Sequence, residues 1–513
     1  MLDYNHIKDK KMKIYRNFIR AIAVVTAVSS ITACSNFLDE EDESNFTTDT
    51  YFTTAAHAES AVNGAYEPLI SITNSGFGGG TWMMLEFATG LANTSLGQAT
   101  NIYLVKDLIN NSDNGYGNSF WTGYYLGISR ANLAIEKIPE INMDEALKQK
   151  YLAEAKFFRA YYYFGLVRMF GNIPIITNSV DLGSEQLYPE QSSPEAVYDL
   201  IVSDLTEAES AGLAWRVPSG RVSLGAVKTL LADVYLTMAG YPLQKTENYG
   251  LAAAKAKEVM DSDQFALFDT YDELHDPATK NTGEYIFMTQ FAAGIQSGNW
   301  QPGILPYNLG ISAYSAQTGG IFSTNAFVDS YEVGDKRTEE KQFYFTSYSL
   351  EADRNSSVNL GAPYIFKHFD IEANEGSAQS DLNWCLYRYA DVLLMYAEAA
   401  NEAESGPSTE AYNAVNLVRD RAELAGLTGL SQDAFREAVR IERIHELSFE
   451  NKTWYDMVRW RKAYNTETNV LEDFVGHNFS YLPNKALTAR ELLFPIPTSE
   501  MQNNPNLVQN TGY

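Results

Sequence analysis

Between Leu147 and Met169 the apolar side chains Tyr151, Ala155, Phe158, Tyr162, Leu166 and Met169 advance by three or four residues at a time. That spacing keeps them on one face of an α-helix, whereas a strand would alternate every two residues. Gly171 and Pro174 follow, and the helix is expected to end there. Segments with the same period cover roughly 55–70, 121–138, 194–211, 221–239, 248–261, 386–404, 409–424 and 432–450. Short connections containing Gly, Pro or Asn separate most of them, as between helices packed in antiparallel pairs. The chain should therefore be mainly α, a stack of helical hairpins. No strict repeat accompanies the pattern, so self-similarity adds nothing to that assignment.

Two stretches interrupt the helices. Residues 71–119 carry eight glycines among Asn, Ser and Thr, and residues 281–383 alternate short β-like runs such as Tyr285-Ile286-Phe287-Met288 with Gly and Pro loops. Long irregular insertions in a helical scaffold are usually functional. The 513 residues include 38 Lys and Arg against 65 Asp and Glu, a net charge of −27, which argues against nucleic acid as a partner. The 33 Tyr, 26 Phe and 7 Trp suit a dense helical core or a surface that stacks on flat ligand faces.

The N-terminal region reads as an export signal. Six basic residues between Lys8 and Arg20 precede the apolar run Ala21–Val28, which breaks at Ser29-Ser30, well short of the roughly 20 residues a membrane-spanning helix needs. The run ends in Ile31-Thr32-Ala33-Cys34, which resembles the lipobox of bacterial lipoproteins. That resemblance implies cleavage before Cys34, which becomes the lipidated first residue, with Met12 an alternative start. Cys34 and Cys385 are the only cysteines, so acylation of the first leaves no intramolecular disulfide. The acidic run Asp39–Glu43 follows, either a solvated tether or, by resemblance to Bacteroidetes lipoproteins, a signal for display on the outer surface.

Catalytic patterns are scarce. Glu442-x-x-His445 has the spacing of a di-iron ligand pair but no second copy. His445-Glu446 begins a zinc-protease pattern, yet Phe449 stands where its second His belongs. Glycines 76–80 lack the Lys of a phosphate loop, and no Gly-x-Ser-x-Gly elbow occurs. Carboxylates are abundant, but sequence does not give the separation that defines a glycosidase pair. No cofactor is expected. A Ca²⁺ ion is conceivable in so acidic a chain, without a motif to support it.

Several segments together resemble the SusD/RagB family of surface glycan-binding lipoproteins: Asn63-Gly64-Ala65-Tyr66; Trp121, Tyr125, Ile128, Ala131-Asn132 and Ile135; Ala153 to Ile175; Arg388 to Asn401; Val415 to Leu427; Ile441 to Trp460; and Leu492 to Tyr513. One departure is Asn451-Lys452-Thr453-Trp454, where relatives commonly have Gly followed by Arg. The resemblance implies a tetratricopeptide-like helical hairpin scaffold (an α-α superhelix) with loop-rich and short-β insertions, no catalytic activity, and a lid role over a SusC-like TonB-dependent outer-membrane transporter. The expected organisation is a lipoprotein signal peptide at 1–33, a lipidated acidic tether at 34–54 and a single domain at 55–513. Within that domain the helical scaffold covers about 55–70, 121–261 and 386–462, the ligand-side insertions about 71–119 and 281–383, and an irregular segment 463–513. The protein would be anchored in the outer membrane through Cys34, facing outward, and would capture oligosaccharides. Peptide or other nutrient import is the alternative; a glycoside hydrolase is a third reading.

A sugar presents an apolar C–H face and a rim of hydroxyls, so an aromatic ring beside amides suits it. Millimolar affinity, about −4 kcal/mol, is adequate for cargo that must be released. Trp121, Trp384, Trp454 and Trp460 lie in or beside the family-like segments and are expected to pack in the core. Trp82 and Trp300 lie in the insertions and are the expected stackers, with Asn93, Gln301, Tyr307, Asn308 and Tyr314 around them; the other reading of both indoles is that they pin loops onto the helical body. Trp215 is a weaker candidate, and the loop from Phe322 to Phe345 is expected to serve packing or transporter contact.

Overall fold

The computed structural model describes residues 8, 10–18, 51–73, 81–94, 100–178, 187–298, 300–313, 320–377 and 379–513. Cys34, the acidic run Asp39–Glu43 and Tyr314 lie outside these. The chain divides into two units, Met1–Thr53 and Thr54–Tyr513. In the first, residues 10–18 are helical and exposed.

The second unit opens with helix α1 (Ala55–Thr73), then α2 (Gly115–Lys137), α3 (Glu145–Phe170), α4 (Pro194–Glu209), α5 (Leu224–Ala239) and α6 (Asn248–Met260). After the β-rich insertion come α7 (Tyr389–Ala403), α8 (Thr409–Arg421), α9 (Gln432–Leu447) and α10 (Thr453–Trp460). Sequence-adjacent helices pack on one another from α2 to α3, α3 to α4, α5 to α6 and α7 to α8, and α6 bridges to α7 across the insertion. This is the hairpin stack that the apolar period predicts.

Helix starts are written locally. Asp144, Ser193, Ser223, Ser408 and Ser431 each accept a hydrogen bond from the amide three residues on, which satisfies a donor the helix itself leaves open. Asn114 caps α2 in the same way through Tyr116 N, so α2 starts six residues before the expected 121, with Gly115 and Gly117 in its first turn. Gly171, at φ 73°, closes α3.

The insertions supply strands β1 (Ala92–Thr94), β2 (Tyr285–Thr289), β3 (Ile321–Ser323), β4 (Tyr344–Ser349), β5 (Ser357–Ile365) and β6 (Trp384–Arg388). Four of them form an antiparallel sheet in the order β1-β3-β5-β4, and β2 pairs separately with β6.

A buried ion network fastens this β-rich part to the helices. Glu284, Asp335, Arg337 and Lys367 come from the insertion; Arg388, Arg419, Arg421, Glu442, Glu446 and Glu450 come from the junction with α7 and from the late helices. Five carboxylates thus meet five cations. Arg388 uses every N–H it has: Nε to Glu450 Oε2 (2.9 Å), Nη1 to Glu284 Oε1 (2.5 Å) and Glu446 Oε1 (2.7 Å), Nη2 to Glu450 Oε1 (2.8 Å) and the Glu446 carbonyl (2.7 Å). Such complete pairing is what keeps charges tolerable in a dry interior.

The network also accounts for Glu442-x-x-His445. Glu442 is held between Arg337 (2.6 Å) and Arg419 (2.9 Å), and the His445 ring stacks on Tyr331 at 4.1 Å. Burial, then Arg337 and Arg419, hold His445 well below the usual histidine range. Both side chains are committed to structure. Among the described residues no group of three or more His, Cys, Asp or Glu is arranged to hold a metal ion, and no helix is long and apolar enough to cross a membrane.

Candidate functional site

Trp82 and Trp300, the expected stackers, lie inside the protein. Both flank Trp384, with ring centroids 4.8 and 5.7 Å from it, and His368 stacks on Trp384 at 4.5 Å. Phe291 covers Trp300 at 5.7 Å. Trp82 is 0% and Trp300 2% exposed, so neither indole offers a face to a ligand here. They hold the two insertions to each other. The physical reason is that the two insertions share one apolar cluster, and the largest rings contribute most when they fill it. Their indole N–H groups find no acceptor among the described residues. Burial lowers His368 to about 4, against the opposing pull of the Phe449 carbonyl on Nε2 at 2.6 Å, so the ring is neutral.

Gln301 is equally buried and knits loops together. Its Nε2 donates to the His368 carbonyl (2.8 Å), while its Oε1 accepts from Asp370 N (3.1 Å) and Asn374 Nδ2 (2.8 Å). Behind Trp82, Glu86 accepts from Asn451 N (2.7 Å), and burial pushes its carboxyl up to about 8. In the orientation that satisfies its neighbours, the Asn451 amide also donates to Trp82 O and Glu86 Oε1, both at 2.9 Å. Asn451 has φ 58°, left-handed backbone that Asn adopts more readily than most residues. Lys452 bonds Asp391 at 2.9 Å and lies over the Tyr387 ring.

The accessible members of the predicted set are Tyr307, Asn308 and Asn93. Tyr307 is 36% exposed, and Asn308 follows it in left-handed backbone at φ 57°. An ideal Cβ on Gly320 would stand 2.5 Å from the Leu305 carbonyl oxygen, so only glycine permits this approach, and it brings the Tyr307 turn up to the start of β3. On the sheet, Asn93 pairs directly with Phe322, and Phe322 with Tyr364, whose ring lies 5.3 Å away. Asn93 and Phe322 are half-buried on one face while Ile321 and Ser323 point inward. An aromatic side chain beside an amide, with a second aromatic–amide pair on the adjoining turn, is a surface able to cover an apolar sugar face and reach its hydroxyls.

Phe322 was not among the expected ligand residues; its loop was expected to serve packing or transporter contact. The alternation Ile-Phe-Ser was the available signal. Phe327 and Tyr331 of the same loop are indeed buried, against His445. Trp121, Trp384, Trp454 and Trp460 are all at most 5% exposed, in keeping with core packing. Trp215 is half-buried, with Lys228 Nζ 5.6 Å from its ring.

A second concavity, of about 470 Å³, lies along α2, where Trp121, Tyr125 and Ser129 recur every four residues on one helix face. Asn503 and Asn504 line its far side. Tyr125 and Asn504 spend their polar groups on the Pro174 and Pro189 carbonyls.

Two family models match the chain. The SusD family covers residues 321–513, and a model described as starch-binding associating with outer membrane covers residues 36–236. The crystal structure of a SusD superfamily protein from Parabacteroides distasonis is 41% identical, spans 91% of this chain and 100% of its own, and superposes with a TM-score of 0.85. SusD-like protein P2 of Formosa agariphila is 29% identical over 96% of this chain and 99% of its own length. A laminarin-binding SusD-like protein is 26% identical, with 90% and 100% of the two chains covered and a TM-score of 0.72.

Proposed function

The chain belongs to the SusD family, and from that premise we propose that it is a non-catalytic, cell-surface glycan-binding lipoprotein that captures oligosaccharides for import. What carries the reading is the full-length likeness to a laminarin-binding SusD-like protein. The local chemistry agrees with it: Tyr307 and Phe322 offer ring surface, and Asn93 and Asn308 offer amides, on the loop-rich side. Lipidation of Cys34 would anchor the protein in the outer membrane, and the partner would be a SusC-like TonB-dependent transporter over which it acts as a lid.

Affinity gel electrophoresis against laminarin, starch and a panel of other polysaccharides tests the binding. At least one should retard the protein, and Tyr307→Ala and Phe322→Ala should reduce the retardation. No retardation by any polysaccharide, together with capture of peptides, would replace this reading with peptide import. Release of reducing ends by the purified protein would overturn its non-catalytic part. Metabolic labelling with palmitate, abolished in Cys34→Ala, tests the anchor; co-purification of a large β-barrel with the tagged protein tests the partnership.

A further inference from the structure

A cleft of about 420 Å³ opens between the end of α3, the start of α4, the turn after α5, the end of α10 and the C-terminal segment. Four arginines line it, Arg168, Arg459, Arg461 and Arg490, and no Asp or Glu does. In a chain with 65 acids and 38 bases that is a reversal of the overall charge.

Three of the four are committed elsewhere. Arg168 lies between the rings of Phe164 and Tyr455, 3.6 and 3.8 Å from their centroids, with Asp233 at 3.7 Å. Arg459 is bound by Glu398 and by Asp456, the latter at 2.7 Å. Arg490 donates to the Leu108 carbonyl at 3.3 Å and to that of Asn110, and stacks on Tyr513.

Arg461 is different. Among the described residues its guanidinium has no carboxylate within 4 Å and no hydrogen-bond acceptor, and its Nη1 is fully buried. The Tyr241 ring faces it, 5.3 Å away at the mouth of the cleft. The residue caps α10 in left-handed backbone, φ 56°, a position that suits Gly or Asn and disfavours a long side chain. A half-buried, unpaired cation at a strained position costs stability, so packing does not explain it. The rest of the lining is largely apolar, with Tyr198, Pro242, Val458 and Leu493 forming the walls. The volume falls within the range of small-molecule sites.

We propose that this cleft binds a small organic carboxylate with a ring-sized body, its carboxylate on Arg461 and its body against the apolar walls. A charge-assisted pair to a guanidinium in a partly dry cleft is among the stronger polar contacts available.

Saturation-transfer NMR on the purified full chain, titrated with benzoate, glucuronate or acetate at constant ionic strength, tests it. Benzoate or glucuronate should bind at millimolar concentration or tighter and at least tenfold better than acetate; which of the two wins identifies an aromatic or a sugar acid. Arg461→Gln should weaken that binding at least tenfold while melting, without ligand, no lower than the parent protein. Tyr241→Ala, at the exposed mouth, should weaken it as well and serves if the first variant does not fold. Absence of signal from both ring carboxylates, or equal binding by the parent protein and the variants, would overturn the proposal.

Discussion

Replacing Arg388 by Met removes a side chain that touches three of the buried carboxylates. Its five hydrogen bonds, none longer than 2.9 Å, are lost together, and Glu284, Glu446 and Glu450 are left to Arg421, Arg337 and Lys367. Truncating one partner of a buried ion pair costs about 3–5 kcal/mol, because the surviving charge stays desolvated. A folded unit of about 460 residues has an unfolding entropy near 1 kcal/mol/K, so Tm should fall by about 3–5 °C. The deficit should also depend on pH. In the parent protein, burial pushes Glu450 up, but Arg388 and Lys367 hold it down at about 2. Without Arg388, its largest opposing charge, burial lifts the folded pKa above the unfolded value. The folded variant then keeps a proton that the unfolded chain releases, which penalises it more as pH rises. Differential scanning calorimetry at pH 5 and pH 8 should therefore show the larger drop at pH 8, and adding Glu450→Gln should recover part of it. A fall of less than 1 °C, or equal falls at both pH values, would refute the reasoning.

Glu86→Gln should flatten the alkaline side of the stability curve. Burial holds the folded carboxyl at about 8, above its unfolded value, so between about pH 4.5 and 8 the parent protein loses stability as pH rises, and the variant's Tm should exceed it at pH 8 by several degrees more than at pH 5. Trp300→Ala should lower Tm by several degrees, because emptying a buried indole site costs about 3–5 kcal/mol. Tyr307→Ala, at an exposed ring, should move Tm by less than about 1 °C while reducing polysaccharide retention in the gel assay. Gly320→Ala places a methyl against the Leu305 carbonyl and should cost about 1–3 kcal/mol in urea titration, displacing the Tyr307 turn and weakening retention as well.

What the sequence by itself determined was the helical scaffold. Helix α3 is legible from its apolar period and its end from Gly171, because period and terminator are both set by neighbours within one or two turns. The failure of Glu442-x-x-His445 as a metal pair was legible for the same reason: a missing second copy is a fact of sequence. The tertiary structure alone decided which aromatic residues face solvent. Trp82 and Trp300 are 218 positions apart, yet both pack on Trp384, and nothing local to either tryptophan distinguishes a ring that stacks on a sugar from a ring that stacks on another tryptophan. Phe322 was hidden by the same logic in reverse: its exposure depends on pairing with Asn93 on a strand more than two hundred residues away. The unpaired Arg461 is likewise visible only in space, because whether a cation has a partner is settled by every element packed around it, and local sequence carries no record of that.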